Sequence, residues 1–333
     1  MNPKYEAAVE KRLSILKYLG FAVLRKTVIL ILLAVAQLPL RAQLTYENLH
    51  VDYDSAWQYK NLKVIPIRWK GAGNPGLPVT GETITLNEAL QKGLARVSER
   101  GSASTENVHW LIIENLSHKN IFIPGGDIIA GGRQDRMITR DTIMLARESR
   151  MQVPVMCVEE GRWSDREKKF VYQKQANMHL RKVLDKSRNQ VLIWREIFNE
   201  LDKDKVKAAT FSYLARNQDK KFAALEKEYW DHFQQRFKNS DSTVIGIVCV
   251  SGDKVIGCDI FAGTNLFYGQ LQPMLLGYID EAIVHGATIT APDAKVKAYM
   301  DELLRSEASQ QAFIRERGKA FYHNGKIIHI TTY

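Results

Sequence analysis

Cysteine is scarce in this sequence of 333 residues, and its spacing carries no metal-binding pattern. The three cysteines, Cys157, Cys249 and Cys258, are odd in number and too few for a disulfide framework. The chain contains neither a paired Cys-x-x-Cys nor a His-Glu-x-x-His motif. The sequence therefore predicts no metal site and no scaffold held together by disulfides.

Motifs of several large enzyme classes are also missing. A glycine-rich run at 123–137 lacks the Gly-Lys-Ser/Thr ending of a P-loop, and its spacing does not fit the dinucleotide-binding fingerprint. No Gly-x-Ser-x-Gly elbow occurs, which argues against a serine hydrolase. We expect no bound cofactor.

The net charge of +10 does not come from a single basic region of the sequence. Residues 1–42 hold seven basic and two acidic side chains, and the rest of the chain holds 40 basic and 35 acidic ones. The chain also lacks a recognisable reader motif for DNA or RNA. We therefore expect no nucleic-acid partner.

The N-terminus has the pattern of a secretory signal. Arg25 and Lys26 precede an apolar run at 28–40, which is short for a membrane span, and Ala42 offers a small residue at the cleavage point. This pattern predicts cleavage after Ala42, export to the periplasm or the extracellular space, and no membrane insertion of the mature chain. The alternative is an uncleaved N-terminal membrane anchor.

Residues 43–333 alternate between strand and helix patterns. Short apolar runs between 108 and 158 predict an antiparallel sandwich-like or barrel-like sheet, and Trp110 to Ile113 and Ile121 to Ile123 would form a hairpin. Capping boxes at Thr85/Glu88 and Ser187/Gln190 predict helix starts. Further helices are predicted at 206–217, 220–238, near 271–286 and at 293–305. The order predicts one α+β domain with its helix-rich middle segment packed on the sheet.

Two hairpins are expected near the C-terminus. Asn324-Gly325 is typical of a two-residue turn, and 244–250 with 255–261 form the other predicted pair of strands. A turn at Gly252-Asp253 would leave Cys249 and Cys258 as diagonal neighbours. A turn at Asp253-Lys254 would place them directly opposite, and a three-residue loop would put them on opposite faces.

The most unusual stretch runs from 121 to 163. It contains Gly-Gly-Arg-Gln-Asp-Arg at 131–136 and Cys-Val-Glu-Glu-Gly-Arg-Trp at 157–163. These two runs, in this order, resemble those of the ARPP family, the ARG and Rhodanese-Phosphatase-superfamily-associated Protein domain. The resemblance covers most of the chain after residue 42. The association with ADP-ribosylglycohydrolases and rhodanese-phosphatases implies a role near ADP-ribose or nucleotide metabolism.

The side chains of this stretch offer a candidate site. Gln134, Arg136 and Arg162 have donors suited to a phosphate or carboxylate, and Trp163 could stack on a base or sugar. The alternatives are an internal salt-bridge network with Asp127, Asp135 and Glu159, and a core position for Trp163. Glu159 and Asp259, each at the end of an apolar strand, are the candidate acid–base groups. Cys157 is expected to be a buried structural thiol.

Two classes of function follow. In the first, the protein binds, and processes, a small phosphorylated or nucleotide-derived ligand such as an ADP-ribose compound. In the second, the polar cluster is structural and the domain is a non-catalytic binding or scaffolding module. Unpaired arginines in a cleft would favour the first class, and mutually satisfied charges would favour the second.

Overall fold

The computed structural model describes residues 44–71, 81–101, 108–162, 168–237 and 241–333. These ranges fold into a mixture of antiparallel sheets and helices, which confirms the predicted α+β class. The strands are β1 Leu49–Val51, β2 Trp57–Tyr59, β3 Leu62–Trp69, β4 Thr83–Thr85, β5 Ala95–Glu99, β6 Trp110–Asn115, β7 Asn120–Ile123, β8 Asp127–Gly132, β9 Arg136–Ile138, β10 Thr142–Met144, β11 Met151–Cys157, β12 Glu159–Glu160, β13 Lys168–Gln175, β14 Phe211–Ser212, β15 Val244–Ser251, β16 Lys254–Phe261, β17 Gly318–His323 and β18 Lys326–Thr332. The helices are α1 Leu86–Gln91, α2 Met178–Ser187, α3 Gln190–Lys203, a 3-10 helix Tyr213–Gln218, α4 Lys220–Gln234, α5 Thr264–His285, α6 Asp293–Leu304 and α7 Glu307–Arg317.

The larger sheet is antiparallel, in the order β1-β3-β15-β16-β18-β17, with β2 also paired to β3. Apolar side chains of α4 and α5, such as Phe233 and Met274, cover one face, and those of α6 and α7, such as Leu303 and Phe313, cover the other. Both faces of this sheet are therefore buried, which explains why β15 is buried along its whole length and apolar from Val244 to Val250.

The second sheet carries the unusual stretch of sequence. Its six strands run β13-β8-β9-β11-β6-β5, and β13 lies near β5, so the sheet almost closes into a barrel. Ile113, Ile129, Val155 and Phe170 fill its interior together with Leu86 of α1. Helices α2 and α3 pack on the outer side. The predicted barrel-like sheet and the helices packed on it are confirmed.

The predicted hairpin between β6 and β7 is wrong. Strand β6 pairs with β5 and β11, whereas β7 joins the small sheet β10-β7-β4, in which β4 and β7 are parallel. The Asn115 side-chain amide donates to the carbonyls of Lys119 and Leu145 at 2.7 and 2.9 Å. These bonds tie the end of β6 to the chain next to β10, so β7 leaves the sheet instead of folding back on β6.

Two helix predictions need correction. Asn189, not Ser187, caps α3, because Ser187 is the last residue of α2 and donates to Val183 O. The predicted helix at 206–217 is instead the strand β14 followed by the 3-10 helix. By contrast, Thr85 caps α1 as predicted by accepting from the Glu88 amide, and α6 begins at Asp293.

Both C-terminal hairpins are confirmed. The first turns at Gly252-Asp253, but the extra residue Ile256 on β16 forms a bulge that places Cys249 opposite Gly257 and Cys258 opposite Val248. The prediction that this turn leaves the two cysteines as diagonal neighbours on one face is therefore wrong. Cys249 and Cys258 therefore point into separate cores on opposite faces of the sheet, as free thiols.

Among the described residues, no helix has the length and apolar character needed to cross a membrane.

Candidate functional site

The two unusual sequence motifs meet at one open cavity of about 510 Å³ on the outer side of the barrel-like sheet. One wall comes from β8 and from alternate residues of β13, and the other comes from residues 208–215. The lining residues are Ala130, Gly131, Asp135, Glu159, Arg162, Lys169, Val171, Gln173, Ala208, Ala209, Thr210, Ser212, Leu214, Ala215 and Gln218.

Arg162 joins the two motifs across this cavity. Its Nε donates to Glu159 Oε2 at 2.7 Å, and one terminal nitrogen lies 3.0 Å from Asp135 Oδ1. The same guanidinium donates to the backbone carbonyls of Gly132 and Gly131 at 3.0 and 3.2 Å. Most of the donors of Arg162 are therefore engaged by protein acceptors, and the predicted internal network exists around this residue.

The glycines of the first motif are required by space and backbone angle. Gly131 has φ +126°, and a Cβ there would lie 2.5 Å from the Lys169 carbonyl oxygen. Gly132 has φ +51°, and a Cβ there would lie 2.2 Å from the ring of Phe170 and 2.4 Å from Glu99 Oε1. These glycines therefore let the chain pass close to β13 and bring its carbonyls to Arg162. They form a strand and turn, not a phosphate-binding loop.

Asp135 and Glu159 lie on either side of Arg162 with opposite shifts in pKa. Burial raises the pKa of Asp135 above its ordinary value, and the negative charge of Glu159 adds to this effect. Burial acts in the same sense on Glu159, but hydrogen bonds from Arg162 and Thr210 outweigh it and lower the pKa. Asp135 Oδ2 also accepts from the Ser212 hydroxyl at 3.0 Å. One carboxyl therefore holds its proton to higher pH while its neighbour stays ionised.

Arg136 and Gln134 lie behind this cavity and do not line it. Arg136 is fully buried, 3.5 Å from Glu99 Oε2, and donates to the Gln134 carbonyl oxygen at 2.8 Å. Gln134 is also buried. The structure therefore brings Glu159 and Arg162 together on the cavity wall and places these two residues in the interior.

Asp259 belongs to a different, fully enclosed network. Arg181 donates to both of its oxygens, at 3.0 and 2.7 Å, and Tyr278 donates at 2.7 Å. His329 Nε2 lies 3.0 Å away. Burial opposes ionisation, but the charge of Arg181 and the hydrogen bonds hold the pKa of Asp259 well below its usual range. Asp259 therefore stabilises the junction of α2 with the larger sheet, out of reach of a ligand in this cavity.

Three further residues singled out from the sequence are Trp163, Asp127 and Cys157. Trp163 lies outside the described residues. Asp127 is buried and accepts from Gln270 at 2.7 Å, so it takes no part in the Arg162 network. Cys157 is buried, as expected, and the Gln190 side chain bonds to its backbone amide and carbonyl.

Sequence reasoning missed the far wall of the cavity. Thr210 and Ser212 supply hydroxyls from a segment that was predicted to be helical, and Lys169 supplies a cation from β13. Alternation along β13 is the one local signal available, since Lys169, Val171 and Gln173 share a face. Nothing local links residues 208–212 to the motifs.

The fold and the site together describe an α+β protein with an open cavity lined by two carboxyl groups and an arginine. The sequence model of the ARG and Rhodanese-Phosphatase-superfamily-associated Protein domain, ARPP-1, matches residues 50–333, so the chain belongs to that family. This match confirms the resemblance carried by the two motifs. Comparison with curated proteins gave no match, and neither did comparison with solved structures.

Proposed function

We propose that the cavity binds a small phosphorylated or nucleotide-derived ligand, such as an ADP-ribose compound, and that the protein acts on it by acid–base chemistry. The observation that carries this proposal is the meeting of both family motifs at one open cavity, around a pair of carboxyl groups with opposite pKa shifts. Such pairs divide the roles of proton donor and proton acceptor. The family name supports a nucleotide-related ligand by association.

Lys169 is the group that would attract the anion. It is exposed on the cavity wall and forms no ion pair within the part of the chain that the structure describes. Arg162, by contrast, is engaged by Glu159, Asp135 and two backbone carbonyls. Arg162 therefore shapes the site and neutralises its carboxylates, and Lys169 provides the free charge.

Asp135 and Glu159 would handle the proton. Burial favours the protonated form of Asp135 more than that of Glu159, so Asp135 would be the donor to a leaving oxygen and Glu159 the acceptor of a proton from an attacking water. These roles suit hydrolysis of an ester bond, in which one proton leaves the water and another reaches the leaving group. Asp259, Gln134 and Arg136 support the fold around this chemistry.

The second candidate function is that of a non-catalytic binding or scaffolding module. The charges of Arg162 are matched by Glu159 and Asp135, and Arg136 lies buried beside Glu99. Mutually satisfied arginines are the feature expected of this function from the sequence, so the ligand-binding proposal depends on Lys169 and not on the arginines. On the scaffolding hypothesis the polar cluster fastens the motif segments to each other and the cavity has no ligand.

Thermal unfolding of the full chain with ADP-ribose, nucleoside diphosphates, sugar phosphates and inorganic phosphate separates the two functions. A ligand that binds the native state raises Tm in proportion to its occupancy. We expect one of these compounds to do so, and Lys169→Ala to weaken its binding by roughly ten- to a hundredfold. Lys297→Ala, an exposed lysine on α6, is the matched control. If none of the compounds shifts Tm, the scaffolding function is the better account.

We further propose that the mature chain is exported after removal of residues 1–42. The basic flank and the short apolar run support this proposal. Its alternative is retention of the same segment as a membrane anchor.

A further inference from the structure

Three helices bring a set of metal-ligating side chains together, none of which lines the motif cavity. Glu196 and Glu200 are one turn apart on α3, and Glu281 and His285 are one turn apart on α5. His179 of α2 stacks on His285, with ring centroids 4.6 Å apart. Residues four positions apart share a helix face. His285 meets Glu200 between the two helices, and Glu281 accepts from the His179 backbone amide at 2.8 Å.

The ligand atoms of three of these residues are close enough to hold one ion. One ligand atom from each of Glu196, Glu200 and His285 lies within 4.8 Å of the others. His285 Nε2 lies 3.0 Å from Glu200 Oε1. Bonds of about 2.0–2.2 Å to zinc place neighbouring ligand atoms roughly 3 Å apart. An ion could therefore enter this group with small side-chain movements.

Hydrogen bonds from neighbouring side chains already orient the buried carboxylate of Glu200. Glu200 accepts from the Asn177 side-chain amide and from Arg216, each at 2.9 Å. Hydrogen bonds of this kind to a ligating carboxylate are the usual support of a metal site. Glu196 and His285 are partly exposed, which leaves the remaining coordination positions open to solvent.

We propose that Glu196, Glu200 and His285 bind one divalent transition-metal ion of the zinc and manganese class. Two carboxylates and one imidazole suit these ions, whereas calcium and magnesium prefer oxygen alone. His179 and Glu281 border both this group and a cavity of about 480 Å³, which gives the ion a route from solvent. The site uses none of the residues of the motif cavity.

Titration calorimetry of the EDTA-treated full chain with Zn²⁺ tests the proposal. We expect one ion per chain, with affinity reduced by more than roughly tenfold in both Glu196→Gln and His285→Ala. Glu302→Gln is the matched control, because Glu302 lines the neighbouring cavity outside the group of three. Bound Co²⁺ should give visible absorption bands that disappear in Glu196→Gln and persist in Glu302→Gln.

Three outcomes would overturn the proposal. These are the absence of stoichiometric Zn²⁺ binding, binding that survives Glu196→Gln with unchanged affinity, and equal loss of affinity in the Glu302→Gln control. If His285→Ala does not fold, the partly exposed Glu196→Gln variant still decides the matter, since its amide keeps the shape of the carboxylate. Unfolding curves without metal show whether each variant is native.

Discussion

Arg162 and Asp135, which are 27 residues apart in sequence, form an ion pair of 3.0 Å that joins the two family motifs. The same arginine binds Glu159 and the backbone carbonyls of Gly131 and Gly132. The contact thus fixes both the charges and the backbone of the cavity wall. The loss of stability on removing Arg162 therefore measures how far the cluster holds the fold together.

Arg162→Ala should destabilise the protein by about 3 kcal/mol, because it leaves the nearly buried Glu159 carboxylate without its cation. In a chain of this size the change should lower Tm by roughly 4–5 °C in a thermal unfolding experiment. Arg96→Ala is the control: its pair with Glu114 is exposed, so it should cost at most about 1 kcal/mol. Equal Tm values for the two variants would contradict a structural role for Arg162.

Gly132→Ala should destabilise the protein by more than the backbone strain of a positive φ alone. The new Cβ would collide with the Phe170 ring and Glu99 in addition to the backbone strain, giving a loss of about 2–5 kcal/mol. Gly93 has φ +66° and no atom within 4 Å of the place that an added methyl group would take, so Gly93→Ala isolates the backbone effect at about 1 kcal/mol. Urea unfolding measures both, and a smaller loss at Gly132 would show that the wall can relax.

Glu226 should make the stability of the protein fall as pH rises from about 4.5 to 7. Burial and the negative charge of Asp280 raise the pKa of Glu226 to about 7 from its ordinary 4.5, against the opposing charge of Lys174. Between these values the folded chain keeps a proton that the unfolded chain releases, so a rise in pH favours unfolding. Urea unfolding across this pH range should show the decline, and Glu226→Gln should flatten it.

Glu228→Gln is the control for that experiment. Glu228 lies on the same helix but is exposed beside Lys60, which lowers the pKa of its carboxyl. Its removal should leave the decline between pH 4.5 and 7 in place. A decline that is unchanged in Glu226→Gln would rule out this carboxyl as its source.

The N-terminal proposal predicts a defined new end of the chain. After expression in a bacterial host, mass spectrometry of the exported protein should find Gln43 at the N-terminus, as free or cyclised glutamine. Replacing Ala42 by a bulky residue should block cleavage, because the small residue at the cleavage point is part of the recognised pattern. An intact chain in the membrane fraction of the unaltered protein would favour the anchor.

Local sequence patterns correctly predicted those helix starts and turns that depend only on residues close together in the sequence. Thr85 caps its helix because its hydroxyl needs only an amide three residues away, and Asn324-Gly325 turns because both residues adopt positive φ. The prediction failed at 206–217, where contacts with distant residues override helical spacing. There Ser212 donates to Asp135, and β14 pairs with β12.

The sequence by itself determined the α+β class, the membership of the family through the two motifs, and most helices and hairpins, since each depends on neighbours along the chain. Tertiary structure decided which charges distant in the sequence meet. It buried Arg136 beside Glu99, enclosed Asp259 with Arg181, and left Lys169 exposed on the cavity wall. It also brought Glu200 to within 3.0 Å of His285, 85 residues away. Such contacts depend on how helices and sheets pack, and no spacing in the sequence records that packing.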